Sequence, residues 1–281
     1  MATHFRLTLA QLNPVVGDLA GNAARARAAW EQARADGADM VAFPEMFITG
    51  YQTQDLILKP AFHKAAIATI EALARDCAEG PAIGIGGPVL HNGHLHNGWY
   101  VLAGGHIHAR VLKQHLPNED VFDEHRLFEP GPPQGPYSIG PLRIGSPVCE
   151  DAWHPDVAET LAETGAELLL VPNGSPYARG KMEIRQNHMV ARVIETGLPL
   201  VYLNMVGGQD DQVFDGGSFV LNPGGALAVQ LPLFDEAIVT VDFSHTPDGW
   251  IAEGGPRATI PDAMEQDYRA MVESLRDYMR K

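Results

Sequence analysis

Three residues with reactive side chains each follow a strand-like run of apolar residues. Cys149 ends the run LRIGSPVC, Glu45 follows MVAFP, and Lys113 ends HIHARVLK. The ends of strands are where α/β sheets usually place ligand chemistry. A thiol can attack a carbonyl carbon, a carboxylate can take the thiol proton, and an ammonium can stabilise the oxyanion that forms. The three residues together predict nucleophilic catalysis.

Each of the three residues has an ordinary explanation when it is taken alone. Structural thiols such as Cys149 are common in protein cores. A carboxylate such as Glu45 and an ammonium such as Lys113 are usually solvated. A histidine base for Cys149 is an open alternative, because the chain has 12 histidines, although none follows a strand in a comparable motif. The combination of thiol, carboxylate and ammonium is the stronger signal.

The hydrophobic pattern around these residues predicts an α/β fold. Helical patterns cover 21–36, 63–78, 155–164 and 181–196, with strand-like runs between them. The stretches GADMVAFPEM and GAELLLVPNG share a Gly-Ala start, a buried strand and a proline. Two similar halves can pack sheet against sheet, so we expect a four-layer α-β-β-α sandwich. The second copy places Asn173 where the first places Glu45.

The composition limits the classes of partner. The chain has 281 residues and a net charge of −15, from 20 Lys+Arg against 35 Asp+Glu. Without a basic run, nucleic acid and anionic membrane surfaces are not expected partners. No signal-peptide pattern opens the sequence and no apolar stretch is long enough to span a bilayer. Because two cysteines cannot form a disulfide framework, we expect a cytoplasmic protein with reduced thiols.

A histidine-rich stretch, HNGHLH, is the one sequence feature that suggests a metal. His94 and His96 would share one face of a strand, but no carboxylate or cysteine lies beside them in the sequence. Zinc sites normally combine three or four such ligands. We therefore predict a hairpin with exposed imidazoles and no metal site.

Longer stretches around the reactive residues resemble the nitrilase superfamily of carbon-nitrogen hydrolases. FPEMFITGY, VLKQHLPNEDVFDEHRLFEPG and GSPVCEDAWHP look like its Glu, Lys and Cys motifs. AQLNPVVGDLAGN, LLLVPNGSPY and GLPLVYLNMVGGQDDQVFDGGSF more narrowly resemble the N-terminal glutaminase domains of glutamine-dependent NAD synthetases. The resemblance runs from Phe5 to Val241. It implies a nitrilase-type sandwich.

The resemblance also implies roles for the reactive residues. Cys149 would attack the side-chain amide of L-glutamine, releasing ammonia and then glutamate. Glu45 would act as the base and acid, and Lys113 with the backbone N–H after Cys149 would hold the oxyanion. Glu124 would be a supporting glutamate that positions the substrate or Lys113.

Three further positions would contact glutamine if the family pattern is carried over. They are Glu119, Ser175 and Lys181, which match the residue after HLPN, the serine of PNxSP and the lysine of xGK. The family commonly has Tyr-Gly where this chain has Glu119-Asp120, so an aromatic contact is replaced by a carboxylate.

The end of the chain departs from a full NAD synthetase. We predict a glutaminase domain over 1–243, and over 244–281 a linker and a helix that lead to an absent ATP-dependent synthetase domain. An apolar stripe at helical spacing in the last segment predicts a packing face: Met264, Tyr268, Met271, Leu275 and Tyr278. No cofactor is expected for glutamine hydrolysis, since ATP and Mg²⁺ would belong to the absent domain, which would use the ammonia to amidate deamido-NAD.

The resemblance implies a homo-oligomer, and it leaves two other functions open. A free-standing amidase or carbamoylase of the same superfamily would act on another small amide. A non-catalytic binding module would share only the fold, but the presence of Glu45, Lys113 and Cys149 together argues against it.

Overall fold

Residues 3–281 are described in the computed structural model, and within them fifteen strands and six α-helices follow one another. The strands are β1 His4–Gln11, β2 Met40–Ala42, β3 Ala82–His91, β4 His94–Ala103, β5 His106–Leu112, β6 Tyr137–Ile139, β7 Leu142–Gly145, β8 Leu168–Asn173, β9 Leu200–Asn204, β10 Val206–Gln209, β11 Gln212–Asp215, β12 Phe219–Asn222, β13 Ala226–Gln230, β14 Ala237–Thr246 and β15 Gly249–Ala252. The helices are α1 Leu19–Ala35, α2 Pro60–Asp76, α3 Glu124–Leu127, α4 Pro155–Glu163, α5 Lys181–Thr196 and α6 Ala263–Arg280.

Two mixed sheets form the centre of the molecule. The first has seven strands in the order β15-β14-β1-β2-β3-β4-β5, and the second has six in the order β13-β12-β9-β8-β7-β6. The strands β10 and β11 form a separate hairpin. The first sheet is closed late in the sequence, because the central strand β1 pairs along its whole length with β14, from His4 opposite Ser244 to Gln11 opposite Ala237.

The layers follow from the alternation of side chains along the strands. In β8, Leu168 and Leu170 belong to the core between the two sheets. Leu169 and Val171 point the other way, into a cluster with α4 and α5. Helices α1 and α2 cover the outer face of the first sheet in the same manner. Because successive side chains of a strand face opposite sides, each sheet is buried on both faces. The predicted α-β-β-α sandwich is confirmed.

One strand is shorter than the sequence pattern predicts. The run LRIGSPVC reads as a strand up to Cys149, but β7 ends at Gly145 and a 3₁₀ turn covers Cys149–Trp153. Pro147 has no N–H to donate to a sheet ladder. Cys149 itself has a φ of +51°, which no β-strand residue adopts. The thiol therefore lies on a turn beyond the strand.

The segment after residue 243 also differs from the expected linker. Strand β14 continues to Thr246, and β15 then pairs with it as the edge of the first sheet. The Pro/Gly-rich composition is typical of a linker, but Trp250 and Ala252 alternate inward and are buried in the inter-sheet core. Only 253–262, between β15 and α6, lacks helix and strand.

Helix α6 presents its polar side to the protein and its apolar side to solvent. Ala270, Glu273 and Asp277 are buried against the β10–β11 hairpin. The apolar stripe Met264, Tyr268, Met271, Leu275 and Tyr278 is between 61% and 77% exposed. The predicted helix is present, but its apolar face packs on nothing in the described residues. None of the helices found there is long and apolar enough to cross a membrane.

Candidate active site

The two sheets contribute different parts of one polar cluster. Glu45 follows β2 and Lys113 follows β5, so both come from the seven-stranded sheet. Cys149 follows β7, and Gly174 follows β8, so both come from the six-stranded sheet. The cluster lies where the ends of these strands meet.

Glu45, Lys113 and Glu124 form a buried ionic triplet. Lys113 Nζ lies 2.8 Å from Glu45 Oε1 and 2.8 Å from Glu124 Oε2. Glu45 and Lys113 are fully buried, and Glu124 is 2% exposed. An ammonium has three N–H donors. Two of those on Lys113 are directed to carboxylates, so one is left for another acceptor.

Two residues that the sequence did not single out complete the hydrogen bonding of the carboxylates. Asn97 Nδ2 donates to Glu45 Oε1 at 2.7 Å and to Glu124 Oε1 at 2.9 Å. The Tyr51 hydroxyl donates to Glu124 Oε1 at 2.9 Å. Glu45 Oε2 accepts from the backbone N–H of Gly174 at 2.8 Å. Glu45 is thus held from both sheets.

The sequence carries only weak signals for these two residues. Asn97 lies in the middle of a strand, next to the HNGHLH stretch, and Tyr51 follows Glu45 by six positions in a loop. A buried polar residue within an apolar strand is the feature that points to Asn97, since buried polar groups need partners.

Cys149 occupies a strained and buried position. Its φ of +51° lies in the left-handed region, where non-glycine residues are uncommon, and the residue is 4% exposed. Burial raises the pKa of the Cys149 thiol well above its ordinary value, and the nearby Glu45 raises it further. Lys113 and the Gly174 N–H act in the opposite direction on this pKa. The resting sulfur is therefore a thiol beside a carboxylate.

The pKa values of the ionic triplet follow from burial and mutual attraction. Burial alone lowers the pKa of Lys113, but Glu124 and Glu45 together outweigh it and hold this pKa well above the ordinary value. Burial raises the pKa of Glu124, against the lowering effect of Lys113. Lys113 is therefore a permanent cation in this site.

A cavity of about 230 Å³ opens onto Cys149. It is lined by Pro117, Glu119, Asp120, Phe122, Cys149, Glu150, Trp153, Ser175 and Lys181. All three positions predicted to contact substrate, Glu119, Ser175 and Lys181, are on this wall, whereas Glu45, Lys113 and Glu124 lie outside its lining. Asp120, Glu150 and Trp153 are lining residues that the sequence analysis did not name.

Ser175 is fixed by a second buried ion pair. Arg185 on α5 makes two 2.8 Å hydrogen bonds from one guanidinium nitrogen to the Asp215 carboxylate. Its Nε donates to Ser175 Oγ at 3.1 Å, and its other nitrogen donates to the Ser175 carbonyl at 2.9 Å. Lys181 at the start of α5 lies with Nζ 5.7 Å from the Trp153 ring centroid. Helix α5 thereby positions two of the cavity-lining residues.

The histidine-rich stretch forms the predicted hairpin between β3 and β4. His91 and His94 are exposed, but His96 is 5% exposed and hydrogen-bonds through Nδ1 to the Glu129 carbonyl at 2.8 Å. The expectation of exposed imidazoles was wrong for His96, because the strand turns that side chain inward. Within residues 3–281, no group of three His, Cys, Asp or Glu side chains is arranged to hold a metal ion.

The family model for carbon-nitrogen hydrolases matches residues 6–247. The chain therefore belongs to the carbon-nitrogen hydrolase family, and the prediction of an amidohydrolase-type enzyme of this family is confirmed.

Its relatives include the glutamine-dependent NAD(+) synthetases of Rhodobacter capsulatus and Xylella fastidiosa. The first is 60% identical over all of this chain and the second 37% identical over all of it. The chain covers 51% and 52% of the lengths of these two proteins. It thus spans about half the length of the relatives it matches, and the predicted resemblance to NAD synthetases is confirmed.

Solved structures give the same picture. The glutamine-dependent NAD+ synthetase of Acinetobacter baumannii superposes with a TM-score of 0.92 at 29% identity, over 99% of this chain and 52% of that one. A nitrilase-superfamily amidase from Nesterenkonia superposes with a TM-score of 0.76 at 26% identity, over 88% of this chain and 91% of that one. In that amidase the acetamide moiety of fluoroacetamide adds covalently at the active site cysteine.

Proposed function

We propose that the chain hydrolyses L-glutamine to glutamate and ammonia, with Cys149 as the nucleophile. The observation that carries this proposal is the buried thiol at the floor of a 230 Å³ cavity, with Glu45 and Lys113 among the charged groups around it. Names of the relatives support glutamine as the source of nitrogen, since these proteins are glutamine-dependent NAD(+) synthetases.

The first half-reaction forms a thioester. Cys149 Sγ attacks the side-chain carbonyl carbon of glutamine while Glu45 takes the thiol proton. Lys113, with its third N–H free of carboxylates, and the backbone N–H of Glu150 stabilise the oxyanion. The C–N bond then breaks, and Glu45 returns the proton to the leaving nitrogen, which departs as ammonia.

The second half-reaction releases glutamate. Glu45 takes a proton from water, and the resulting hydroxide attacks the thioester carbon. The C–S bond breaks and the proton returns to Cys149 sulfur. Glu124 supports both steps by holding Lys113 in place, with its other oxygen tied to Tyr51 and Asn97.

The cavity wall suits a zwitterionic substrate. Glu119 offers a carboxylate to the substrate's α-ammonium, and Lys181 offers an ammonium to its α-carboxylate. The Ser175 hydroxyl, held by Arg185, is a neutral hydrogen-bonding group on the same wall. Glu119 takes the place of the family's aromatic contact in this scheme.

A comparison of two cysteine variants tests the proposal. The wild-type chain and Cys77→Ala should release ammonia and glutamate from L-glutamine, while Cys149→Ala should release neither. Cys77 is the matched control, because it is the other cysteine, is buried and lies at the end of α2 away from the cavity. Release by Cys149→Ala at the wild-type rate would overturn the assignment of the nucleophile.

A free-standing amidase or carbamoylase is the second candidate, because the Nesterenkonia amidase shares the fold over 88% of this chain. The discriminating substrates are asparagine, acetamide and N-carbamoyl amino acids. Turnover of one of these with no release from glutamine would transfer the assignment to this class.

We infer further that 1–243 carries the glutaminase chemistry and that 244–281 leads into a synthetase half, which would use the ammonia and ATP to amidate deamido-NAD. The extra length of the relatives and the exposed stripe on α6 support this organisation. A cavity of about 500 Å³ beside that stripe, with Met271, Leu275 and Tyr278 in its wall, contains no thiol or lysine. The mass of the protein from its native source tests the inference: a mass near 30.4 kDa would contradict it. The homo-oligomer and the cytoplasmic location stay predictions.

A further inference from the structure

Asp151 is a buried carboxylate that the proposed mechanism does not use. It lies two residues after Cys149 in the 3₁₀ turn and is 1% exposed. Its three hydrogen bonds all come from backbone N–H groups. A carboxylate in such a position costs free energy through lost hydration, which surface solvation would avoid.

The partners of Asp151 belong to two different sheets. Oδ2 accepts from the N–H of Val148 at 3.0 Å, which is the residue directly before Cys149. Oδ1 accepts from the N–H groups of Gln114 at 2.9 Å and His115 at 2.7 Å, which directly follow Lys113. One carboxylate therefore ties the turn that carries the thiol to the strand end that carries the ammonium.

We propose that Asp151 is a positioning residue, which fixes Cys149 of one sheet in register with Lys113 of the other. The proposal rests on the proposed function, because the register matters only if the thiol and the ammonium act on the same carbonyl group. A turn cap explains the contact with Val148, which lies three residues away. It does not explain the two contacts with residues 36 and 37 positions away.

The bonding also explains why the side chain has to be an acid. Three N–H donors converge on its two oxygens, so both oxygens must accept. An asparagine has only one oxygen, and its NH₂ group would face at least one of the same N–H donors. Charge-assisted hydrogen bonds are also stronger than neutral ones. Burial raises the pKa of Asp151 to about 6, so the acceptor form predominates at neutral pH.

The variant Asp151→Asn tests the proposal, and Asp156→Asn is its matched control. Asp156 also contacts His115, but through the imidazole Nε2 at 2.9 Å, and its side chain is 62% exposed. We expect Asp151→Asn to lower kcat for glutamine about 10- to 100-fold with little change in KM, because small displacements of reacting groups reduce rates by such factors. Asp156→Asn should keep the wild-type values.

A second readout does not depend on the identity of the substrate. Iodoacetamide labelling, followed by mass spectrometry, gives the reactivity of Cys149 relative to Cys77 in the same molecule. A thiolate near a fixed cation is the reactive form, so Asp151→Asn should reduce the selectivity for Cys149 by about tenfold while circular dichroism stays native.

The two readouts separate the possible failures. Wild-type labelling selective for Cys149, without glutamine turnover, would contradict the proposed substrate but leave the positioning role testable by labelling. If Asp151→Asn folds and keeps wild-type selectivity at Cys149, the positioning role is overturned whatever the substrate is. A loss in Asp156→Asn equal to that in Asp151→Asn would overturn it as well.

Discussion

At the scale of single residues, the site depends on one cation shared by two carboxylates. Lys113 is fully buried and contacts both Glu45 and Glu124, so each of the three charges is compensated only by the others. Removal of one member of such a cluster leaves an uncompensated buried charge, which is the costly outcome in buried ion pairs. The arrangement thus makes stability and chemistry depend on the same side chain.

The variant Lys113→Met should lose about 3–5 kcal/mol of unfolding free energy, because it leaves two carboxylates facing each other without a cation. Urea unfolding at pH 7 measures the change. The double variant Lys113→Met/Glu124→Gln should regain part of the loss, since one of the two negative charges is then absent. A loss below about 1 kcal/mol in the single variant would show that the triplet is not ionised as described.

The pH dependence of this effect follows from the sign of the pKa shift. The pKa of Lys113 is raised in the folded chain, so its contribution is fully present below the ordinary lysine pKa and is lost as pH rises through the raised value. The difference between wild type and Lys113→Met should therefore not decline between pH 7 and pH 9. A steady decline in that range, measured by the same unfolding experiment, would contradict the raised pKa.

At the scale of secondary structure, α6 is a helix whose polar side is the one that the fold uses. Asp277 Oδ2 accepts from Asn13 Nδ2 and from the N–H of Gly208, both at 2.7 Å. The apolar stripe on the opposite side contributes little to this attachment. The sequence pattern located the stripe correctly, but it cannot tell which side of an amphipathic helix meets its own domain.

Two substitutions on α6 should have opposite consequences. Asp277→Ala leaves two donors without their acceptor and should lower the unfolding free energy by about 1–3 kcal/mol. Leu275→Ser, at a position that is 61% exposed, should change it by less than about 0.5 kcal/mol. Chemical denaturation of this chain measures both values. A larger loss in Leu275→Ser than in Asp277→Ala would contradict the described orientation of the helix.

Several elements could be predicted from the sequence because local signals agree with the fold. The helix over 181–196 was predicted with its observed bounds, since Gly180 and Gly197, with φ of +79° and +70°, stand on either side of it. The end of β7 was missed, because the left-handed conformation of Cys149 is not visible in an apolar run. A turn of this kind is set by tertiary contacts such as those of Asp151.

At the scale of the whole molecule, the core between the sheets reaches the site. Cys149 and Val148 belong to the same hydrophobic cluster as Leu168 and Leu170. This explains what the sequence could reveal of the site and what it could not. Glu45, Lys113 and Cys149 each carry a strand-end signal, whereas Asn97 and Tyr51 acquire their role only when β4 and the loop after β2 are brought beside α3.

The adjacent residues Leu169 and Leu170 test this connection. Each is fully buried, and replacement of either by alanine should reduce the unfolding free energy by about 2–5 kcal/mol. Only Leu170→Ala opens a void in the cluster that contains Cys149, so we expect it to lower kcat on the order of tenfold. Leu169→Ala should retain the wild-type kcat per folded molecule. Equal kcat values for the two variants would contradict the coupling.

The pairing of β1 with β14 has a consequence for how the protein is made. The ribosome delivers His4–Gln11 at the start of synthesis, but its antiparallel partner Ala237–Thr246 emerges more than two hundred residues later. Until then one edge of β1 has no strand beside it, and such bare edges invite pairing with other chains. Contacts so distant in sequence also slow folding. A growing chain therefore completes its first sheet, and with it the attachment of Glu45 and Lys113 to a finished scaffold, only when translation of this region is nearly over.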